Sequence, residues 1–575
     1  MTKKSDSALT FLLPVVLIIL MASLLRARLN FSSAMIPGIN GGYYPLLVRN
    51  LIEFGSVRYP DAPLVYWIQG GMTYLIRLLS GLSLDQSVLL ASRLFDSIIP
   101  TLAYIPVFLH AREQLGNQTG SRIFIITISA FSVLYLASLI ILSSEMQKNA
   151  AGLVWLACYI YSLRKAFLPD PGKKVWLSML FLILIALTHI GCFAVACLLT
   201  LIYGSIFLIR GEKRIRVKTG LIILSIAGGI FMLSILILSH DPARMHRVLS
   251  LYLNPLRIFE SPYLFLLLTG KQIYFGFLFH NFLLINALSI SGLVIILINR
   301  RNLSSSNYTY ALSLSALSLC LSSPLIGIEW ALRYYLMAFL PIVFQFVYVY
   351  KSIIKKSIKF SVTAIVLVLT LLSIVLASTT RRNPAISEDS YADLHRLKSE
   401  VRINPGDLIV ARHGLEWWTG WVLHCRTGKE YCLRPDDWLV YPNIYLLRQK
   451  KGNNYPGQGG TGQFAEFPVP GNAEKVSSNN SFDLYKLPKP EAELYYPGEL
   501  PLMQGTIRSV DGLTITVHSQ GYLQKVELET STRFFNSEIT DLKPGLRIDV
   551  WGKRMPFSLR IHAERVKCYP VEPGD

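Results

Sequence analysis

Long apolar runs recur through the first two thirds of this chain, and they constrain its fold more than any other feature. A helix needs about 20 mostly apolar residues to cross the hydrocarbon core of a bilayer. Only 16% of the 575 residues are charged, whereas a soluble globular protein has about a quarter. The sequence therefore predicts a polytopic α-helical membrane protein with about 11 transmembrane helices. The apolar runs lie at residues 9–25, 87–109, 122–142, 149–163, 175–188, 190–209, 219–239, 281–298, 307–325, 331–350 and 360–378.

The distribution of lysine and arginine predicts how these helices are oriented. The formal net charge is +20, and the first 378 residues contain 31 basic and 12 acidic residues. Nineteen of these basic residues fall at the N-terminus and in alternate loops, whereas the short turns near 143–148, 189–191 and 324–330 contain one, Lys148. Cytoplasmic loops are enriched in lysine and arginine. We expect the N-terminus inside and the C-terminus outside, and the charge indicates topology rather than nucleic-acid binding.

Two of the predicted outer segments are long, at residues 26–86 and 240–280. Within the first, Tyr43–Phe54 and residues 65–79 have the apolar spacing of amphipathic helices. Arg49, Glu53 and Arg77 are set among these apolar positions. Such helices typically lie on a membrane surface.

The composition changes abruptly after residue 378, which predicts two extracytoplasmic domains. Residues 379–490 indicate a small α/β domain, with helices at 389–401 and 416–424 and strands at 407–411, 439–447 and 482–487. Residues 500–575 alternate in short strands and contain an Asp511-Gly512 hairpin turn, which predicts a small OB-like β-barrel. Cys425 and Cys432 could form a disulfide or remain a free pair.

Ionisable residues cluster in the short turns on the predicted outer side. Ionisable groups are costly near hydrocarbon and are commonly functional there. If the turns converge, the cations suit a phosphate group, a carboxylate pair could hold a divalent cation such as Mg²⁺ or Mn²⁺, and one carboxylate could act as a base. The set predicts a site for an anionic lipid headgroup. Its members are Asp61, Glu145, Lys148, His189, Glu329 and Arg333.

Each of these residues also has a purely structural interpretation. The spacing of Glu145 and Lys148, and that of Glu329 and Arg333, suits ion pairs on a helix. Aspartate is common in turns bracketed by proline, as at Asp61, and histidine is tolerated at a membrane interface, as at His189. Two further groups favour a structural role, namely a buried pair of Asp96 with Arg93, and core packing rather than sugar stacking by Trp417, Trp418 and Trp421.

Four short motifs resemble the GT-C class of membrane glycosyltransferases, which includes oligosaccharyltransferase catalytic subunits, protein O-mannosyltransferases and aminoarabinose transferases. The motifs are GINGGYYPLLVRNLIEFG with YPDAP, SEMQKNAAGL, LTH and EWALRYYL, within residues 9–378. The resemblance implies that residues 1–378 are a GT-C-like domain with a first outer loop at about 26–86. It also implies a donor sugar linked to a polyprenyl phosphate or diphosphate.

The first outer loop departs from the class at Asn40. The class usually has an acidic residue there, and a carboxamide cannot act as a general base at neutral pH. Three alternatives follow: Asp61 or Glu145 acts as the base, Asn40 only orients an acceptor, or the protein is inactive.

The leading hypothesis is an inverting glycosyltransferase at the outer face of a prokaryotic plasma membrane. Asp61 would act as base or metal ligand, Glu145 would bind metal or acceptor, and Lys148, His189 and Arg333 would bind the donor phosphate. The acceptor would be a lipid, a glycan or a protein. The rival hypotheses are a lipid-glycan transporter or flippase component, and a non-catalytic homologue that acts as a scaffold.

Overall fold

The fold is described from a computed structural model of the chain. The structure describes residues 5–57, 59, 61–116, 119–167, 174–209, 228–229, 255–260, 262, 264, 276–429, 433, 437–450, 469, 471–489, 501–519, 522–535, 538–555, 558 and 560–569. The predicted span at 219–239, most of the outer segment at 240–280, the loop at 451–462 and Cys432 lie largely or wholly outside these residues. Cys425 is buried, with a free thiol.

Thirteen helices of the described residues form the N-terminal half. They are α1 (Ser5–Asn30), α2 (Tyr43–Phe54), α3 (Leu64–Ser80), α4 (Leu84–Ile98), α5 (Tyr104–Leu115), α6 (Thr119–Leu134), α7 (Gln147–Ala166), α8 (Lys174–Thr188), α9 (Ile190–Ile209), α10 (Gly276–Ile298), α11 (Ser305–Leu321), α12 (Ile328–Ser352) and α13 (Lys356–Thr379). The two amphipathic helices predicted in the first outer segment are present as α2 and α3.

Six stretches of the described residues are long and apolar enough to cross a membrane, which agrees with a membrane protein. Two further apolar helices, Val175–Thr188 and Phe282–Ile298, are shorter. The predicted total of about 11 spans is therefore met only in part. The six are Leu12–Asn30, Leu84–Leu115, Gly120–Ile141, Ile190–Phe207, Arg333–Ser352 and Lys356–Thr379.

Hydrogen bonds and ion pairs between the ends of different helices show which loops of this half lie together. At one end, Arg28 of α1 donates to the carbonyl of Ala377 in α13 at 3.4 Å, and the N–H of Gly38 donates to the carbonyl of Asn383 at 2.9 Å. At the other end, Lys165 pairs with Glu113 at 2.7 Å. There too, Lys351 donates to Gln114 at 3.3 Å, and Asn302 donates to the carbonyl of Ser352 at 2.7 Å. Among the described residues, the basic residues at the ends of α5, α7 and α12 and directly after α10 therefore share one end, and the first outer segment shares the other with the chain after α13.

The segment after α13 forms a five-stranded sheet with helices. The sheet order is β2-β1-β3-β5-β4, in which β1 is parallel to β2 and β3, and β5 is antiparallel to β3 and β4. The strand predicted at 439–447 begins later, at Ile444, because residues 437–440 form a short helix, α16 (Asp437–Val440). The elements are α14 (Glu388–Glu400), β1 (Leu408–Ala411), α15 (Leu415–Leu423), β2 (Arg426–Lys429), β3 (Ile444–Gln449), β4 (Glu474–Ser478) and β5 (Phe482–Lys486).

The hydrophobic core of this sheet continues into the first outer segment. Leu46 of α2 and Tyr66 of α3 are buried in the same cluster as Ile409 and Trp418. Arg49 of α2 is buried and donates to the carbonyls of Gly420 at 2.9 Å and Trp421 at 2.5 Å. A cation placed on the last carbonyls of a helix satisfies them and favours the helix dipole. The first outer segment and the α/β region therefore pack as one unit.

The C-terminal end is β-rich and has its own hydrophobic core. Its strands pair in the order β10-β6-β7-β8-β11-β9, with an additional pairing of β10 with β11. The predicted hairpin is present, because Asp511 of β6 pairs with Thr514 of β7 and Gly512 has φ +57°. The strands are β6 (Met503–Asp511), β7 (Thr514–Ser519), β8 (Tyr522–Glu527), β9 (Arg533–Phe535), β10 (Arg547–Arg554) and β11 (Arg560–Tyr569).

Candidate functional site

Asp61 lies between α2 and α3 and binds residues from three elements. Its carboxylate accepts the hydroxyl of Tyr66 at 2.6 Å and the N–H of Ala62 at 2.8 Å. It also accepts the hydroxyl of Tyr43, the first residue of α2, and the ammonium of Lys148, the second residue of α7. The Asp61 side chain is 10% exposed and that of Lys148 is 16% exposed. Asp61 and Lys148, predicted as members of one site, are therefore in contact.

The environment of Asp61 fixes its charge. Burial by itself raises the pKa of this carboxyl group, but the ammonium of Lys148 and the hydroxyls of Tyr43 and Tyr66 stabilise the carboxylate, and the pKa falls to about 2. A group with so low a pKa has little affinity for a proton at neutral pH, which makes it a poor general base. The geometry favours Asp61 as a fixed anion that positions Lys148 and the two phenols.

Glu145 bridges two distant parts of the chain. One carboxylate oxygen accepts the N–H of Ile39 at 2.8 Å, and the other accepts the guanidinium of Arg382 at 2.8 Å. Arg382 also donates to the carbonyls of Ile140 at 2.9 Å and Ser143 at 2.6 Å. Glu145 thereby ties the first outer segment and the chain after α13 to the turn that follows α6. The predicted surface pair of Glu145 with Lys148 is not formed, because each residue has another partner of opposite charge.

A buried polar network lies under this turn. Asp96 of α4 pairs with Arg26 of α1 at 2.8 Å, and both side chains are buried. The same carboxylate accepts the N–H of Ser144 at 2.9 Å and the amide of Asn30 at 2.8 Å. The prediction that Asp96 pairs with Arg93 is wrong, because the guanidinium of Arg93 donates to the carbonyls of residues 33 and 34. The network holds the backbone of Ser144 at φ +69°, and so sets the path of the chain into α7.

His189 and Arg333 belong to the surroundings of the Asp61–Lys148 pair. His189 lies between α8 and α9, and its Nδ1 accepts the N–H of Cys192 at 3.2 Å. Burial, together with the charges of Lys148 and Arg333, lowers the pKa of His189 to about 3, so its imidazole is neutral at pH 7. Arg333 is exposed. The side chain of Glu329 lies outside the described residues, so its predicted ion pair with Arg333 stays a prediction.

Asn40 lies in the turn before α2. Its carbonyl accepts the N–H of Tyr43 at 3.1 Å, and its side chain is half-buried. Within the described part of the chain, the carboxamide of Asn40 has no hydrogen-bond partner. Asn40 therefore adjoins Tyr43, whose hydroxyl donates to Asp61.

The α/β region contributes Trp417 to an aromatic wall that it forms with Tyr43 and Tyr59. Trp417 of α15 is half-buried, and its ring lies 4.7 Å from that of Tyr43 and 5.8 Å from that of Tyr59, between ring centroids. Lys148 lies 5.5 Å from the centroid of Tyr43. Trp418, by contrast, is fully buried in the core. Of the three tryptophans, Trp417 alone has the partial exposure that a stacking residue needs.

Three contributors were not predicted as site residues, namely Tyr43, Tyr66 and Arg382. Tyr43 and Tyr66 belong to apolar helical patterns, in which a tyrosine resembles a core residue. Arg382 follows an apolar span and resembles one of the basic residues that commonly flank such spans. The GGYY run of the first outer segment was the only available indication for Tyr43.

The divalent cation predicted at Asp61 and Glu145 stays a prediction. Asp61 is compensated by Lys148, and Glu145 is compensated by Arg382. No cluster of three or more His, Cys, Asp or Glu side chains suited to a metal ion occurs among the described residues. A cation held between Asp61 and Glu145 would have to displace two ion pairs.

Comparisons with known proteins add no family assignment. No protein-family model matches the sequence, and a search of curated proteins finds no significant match. The function is therefore argued from the site itself.

Proposed function

We propose that this protein is a membrane glycosyltransferase that moves a sugar from a polyprenyl phosphate or diphosphate to a lipid, glycan or protein acceptor. The observation that carries the proposal is the contact of Lys148 with Asp61 beside the aromatic rings of Tyr43 and Trp417. Cations suit the phosphate of the donor, and aromatic rings suit a sugar. The resemblance to the GT-C class supports the same proposal.

The proposed chemistry depends on the stabilisation of phosphate. The leaving group is a lipid phosphate, so the main task of the site is to hold the charge that develops on its oxygens. Lys148, Arg333 and His189 would bind that group. Asp61 would fix the position of Lys148, and Asn40 would orient the acceptor by a hydrogen bond.

The proposal also includes the membrane face on which the site lies, the number of transmembrane helices and the fold of the C-terminal end. We place the site at the outer face of a prokaryotic plasma membrane, because the described basic residues at the ends of α5, α7 and α12 lie at the opposite end of the helical half and cytoplasmic loops are basic. The full complement would be about 11 transmembrane helices. The pairings β6–β7, β7–β8, β8–β11, β11–β10 and β10–β6 return to their starting strand, which supports an OB-like barrel.

A matched pair of lysine variants tests the function. Lys148→Gln should lower transfer from a polyprenyl-linked donor in membranes by about a hundredfold, equivalent to about 3 kcal/mol in the barrier. Lys165→Gln removes a similar ion pair with Glu113 at the opposite end and should leave transfer largely unchanged. Monodispersity after detergent extraction is the folding control. Equal activity of the two variants would remove Lys148 from the site.

One observation favours the non-catalytic scaffold as a second candidate. Glu145, Asp61 and Asp96 are all held by cations, and Asn40 replaces the usual acidic residue of the class. Absence of transfer by the unmodified protein across a panel of polyprenyl-linked donors would favour this candidate.

A further inference from the structure

Three aromatic side chains meet between α5, α11 and α12, at the basic end of the helical half, where Glu113 pairs with Lys165. The ring of His110 in α5 lies 5.5 Å from that of Tyr348 in α12 and 6.3 Å from that of Tyr310 in α11, between ring centroids. The two tyrosine rings are 5.9 Å apart, and all three side chains are buried. Three helices therefore converge on one triangle of polar rings.

Two polar atoms of this ring triangle have no hydrogen-bond partner among the described residues. They are Nε2 of His110 and the hydroxyl of Tyr348, and both atoms are buried. The hydroxyl of Tyr310, by contrast, donates to the carbonyl of Ile160 at 2.5 Å. A buried polar atom without a partner is costly, and native structures contain few of them. Both atoms are explained if a bound group accepts hydrogen bonds from them.

Two cations lie about one helical turn nearer to the basic end than the rings. Lys351 follows Tyr348 by three positions in α12, and residues at this spacing share a helix face. Arg164 of α7 donates to the carboxamide of Asn307 at 2.8 Å. Asn307 precedes Tyr310 by three positions in α11. One helical turn rises about 5.4 Å, so both cations are attached to the layer of residues directly over the ring triangle.

The one carboxylate among these contacts is engaged mainly with a third cation. Oε2 of Glu113 lies 2.7 Å from the ammonium of Lys165, whereas its Oε1 lies 3.8 Å from the guanidinium of Arg164. The Nε of Arg164 is buried and has no hydrogen-bond partner within the described part of the chain. Lys351 donates to the neutral carboxamide of Gln114 at 3.3 Å, one turn of α5 beyond the imidazole. Arg164 and Lys351 therefore have room for an anionic partner.

Burial separates these two cations from other basic residues at the same end. The side chain of Arg164 is only 12% exposed, and Lys351 is half-buried, whereas Arg301 and Lys356 are exposed. A basic residue needs no burial to favour the cytoplasmic side of a membrane, and a buried cation is costly unless it is paired. Two partly buried cations above two unpartnered polar atoms have the composition of an anion-binding site.

We propose that Arg164 and Lys351 bind a phosphate group over the ring triangle. The hydroxyl of Tyr348 and Nε2 of His110 donate hydrogen bonds to the same group. Phosphate suits this set because its several oxygens accept hydrogen bonds from guanidinium, ammonium and hydroxyl donors together. The phosphate belongs to an anionic lipid headgroup, which basic pockets between membrane helices commonly bind, or is free phosphate. The site lies at the opposite end from the proposed glycosyltransferase site and does not depend on that function.

Titration with two phosphate compounds tests the site. A ligand that binds only the folded state raises the unfolding temperature. The full-length protein in detergent is therefore unfolded by heat with increasing short-chain phosphatidylglycerol or with increasing inorganic phosphate. We expect saturable stabilisation by phosphatidylglycerol if the ligand is a lipid headgroup, and by inorganic phosphate if it is free phosphate. Short-chain phosphatidylcholine, which has no net charge, and chloride at equal ionic strength are the controls.

Three variants locate the binding. Arg164→Gln should raise the concentration needed for half of the stabilisation by about tenfold or more, because a hydrogen bond to a charged group is lost. Tyr348→Phe removes a single hydroxyl that has no partner, so it should be at least as stable as the parent without ligand and should bind about tenfold more weakly. Arg301→Gln, at an exposed position at the same end, is the matched control and should respond like the parent.

The outcomes decide whether the site exists. Absence of stabilisation of the parent by both compounds would overturn the proposal. Parent-like titrations of Arg164→Gln and Tyr348→Phe would also overturn it, because they would place the binding elsewhere. An equal loss in Arg164→Gln and Arg301→Gln would indicate general attraction to a basic surface, with the same consequence. If Arg164→Gln fails to fold, Tyr348→Phe alone decides.

Discussion

Single residues at this site act mainly through the charge that they place next to another group. The pKa of Asp61 is about 2 because Lys148, Tyr43 and Tyr66 stabilise its carboxylate more than burial destabilises it. Glu145 is engaged on both oxygens, one with a backbone N–H and one with Arg382. Both residues were expected to carry the chemistry, and their contacts indicate that they position other groups.

Asp61 should make the stability of the folded protein depend on pH in the acid range. Because its pKa in the folded state is below its value in the unfolded chain, about 3.9, the ionised group stabilises the fold above about pH 4 and by about 2 kcal/mol at neutral pH. That contribution is lost as the pH falls from about 4 towards 2. Asp61→Asn should therefore unfold at a lower temperature than the parent at pH 7, and the difference should shrink below pH 4.

Thermal unfolding in detergent at a series of pH values measures this dependence. Asp389→Asn, at an exposed position in the first turn of α14, is the control and should show no comparable convergence. A difference between Asp61→Asn and the parent that stays constant from pH 7 to 3 would contradict the assignment of the low pKa.

Glu145 should prove to be a stabilising contact rather than a reacting group. Glu145→Gln keeps an acceptor for the N–H of Ile39 but weakens the bond to Arg382, and should lower stability by about 1.5–3 kcal/mol, the range for hydrogen bonds to charged groups. Arg382→Gln should do the same, and the double variant should be little worse than either single one. A Glu145→Gln variant with parental stability and abolished transfer would instead indicate that Glu145 takes part in the transfer reaction.

At the scale of elements, the important contact is that of α2 and its preceding turn with α15. The core shared by Leu46, Tyr66 and Trp418 joins helices that are more than 350 residues apart in sequence. Gly42 lies against this surface, because a Cβ built there would be 3.0 Å from the ring of Trp418. The aromatic wall therefore exists only when the first outer segment and the α/β region are packed together.

The turn before α2 should tolerate no added side chain at Gly41. A Cβ built there would lie 2.0 Å from the carbonyl oxygen of Ile36, so Gly41→Ala must displace the backbone that carries Asn40 and Tyr43. We expect Gly41→Ala to destabilise the protein and to abolish transfer. Gly71→Ala in α3 is the matched control: nothing lies within 4 Å of its Cβ, and alanine favours a helix by up to about 1 kcal/mol. Similar unfolding temperatures for the two variants would contradict the packing described.

Among the described residues of the helical half, the basic residues at the ends of α5, α7 and α12 lie at one end, and the first outer segment and the chain directly after α13 lie at the other. The pair of Lys165 with Glu113 belongs to the first end, and the contact of Gly38 with Asn383 belongs to the second. This separation is what the distribution of lysine and arginine predicts for a chain that crosses a membrane many times.

Cysteine labelling in intact cells tests the orientation. A cysteine at Lys553, which is 82% exposed on β10, should react with an impermeant thiol reagent, because we place this end outside the cell. A cysteine at Lys355, exposed between α12 and α13, should react only after the membrane is permeabilised. The parent chain, labelled alongside, gives the background from the native cysteines. The reverse pattern would place every proposed site residue in the cytoplasm and would contradict the proposed setting.

The sequence by itself determined the membrane class, the helical bounds of α2 and α3 and the β-rich C-terminal end. These follow from periodicity, composition and charge, which act over a few neighbouring residues and are visible in the chain. Only the tertiary structure decided that Asp96 pairs with Arg26, that Glu145 binds Arg382, and that Trp417 faces Tyr43. Each of these contacts joins residues 70 or more positions apart, and the partner of a charge or an aromatic ring is fixed by how the helices pack rather than by its neighbours in the sequence.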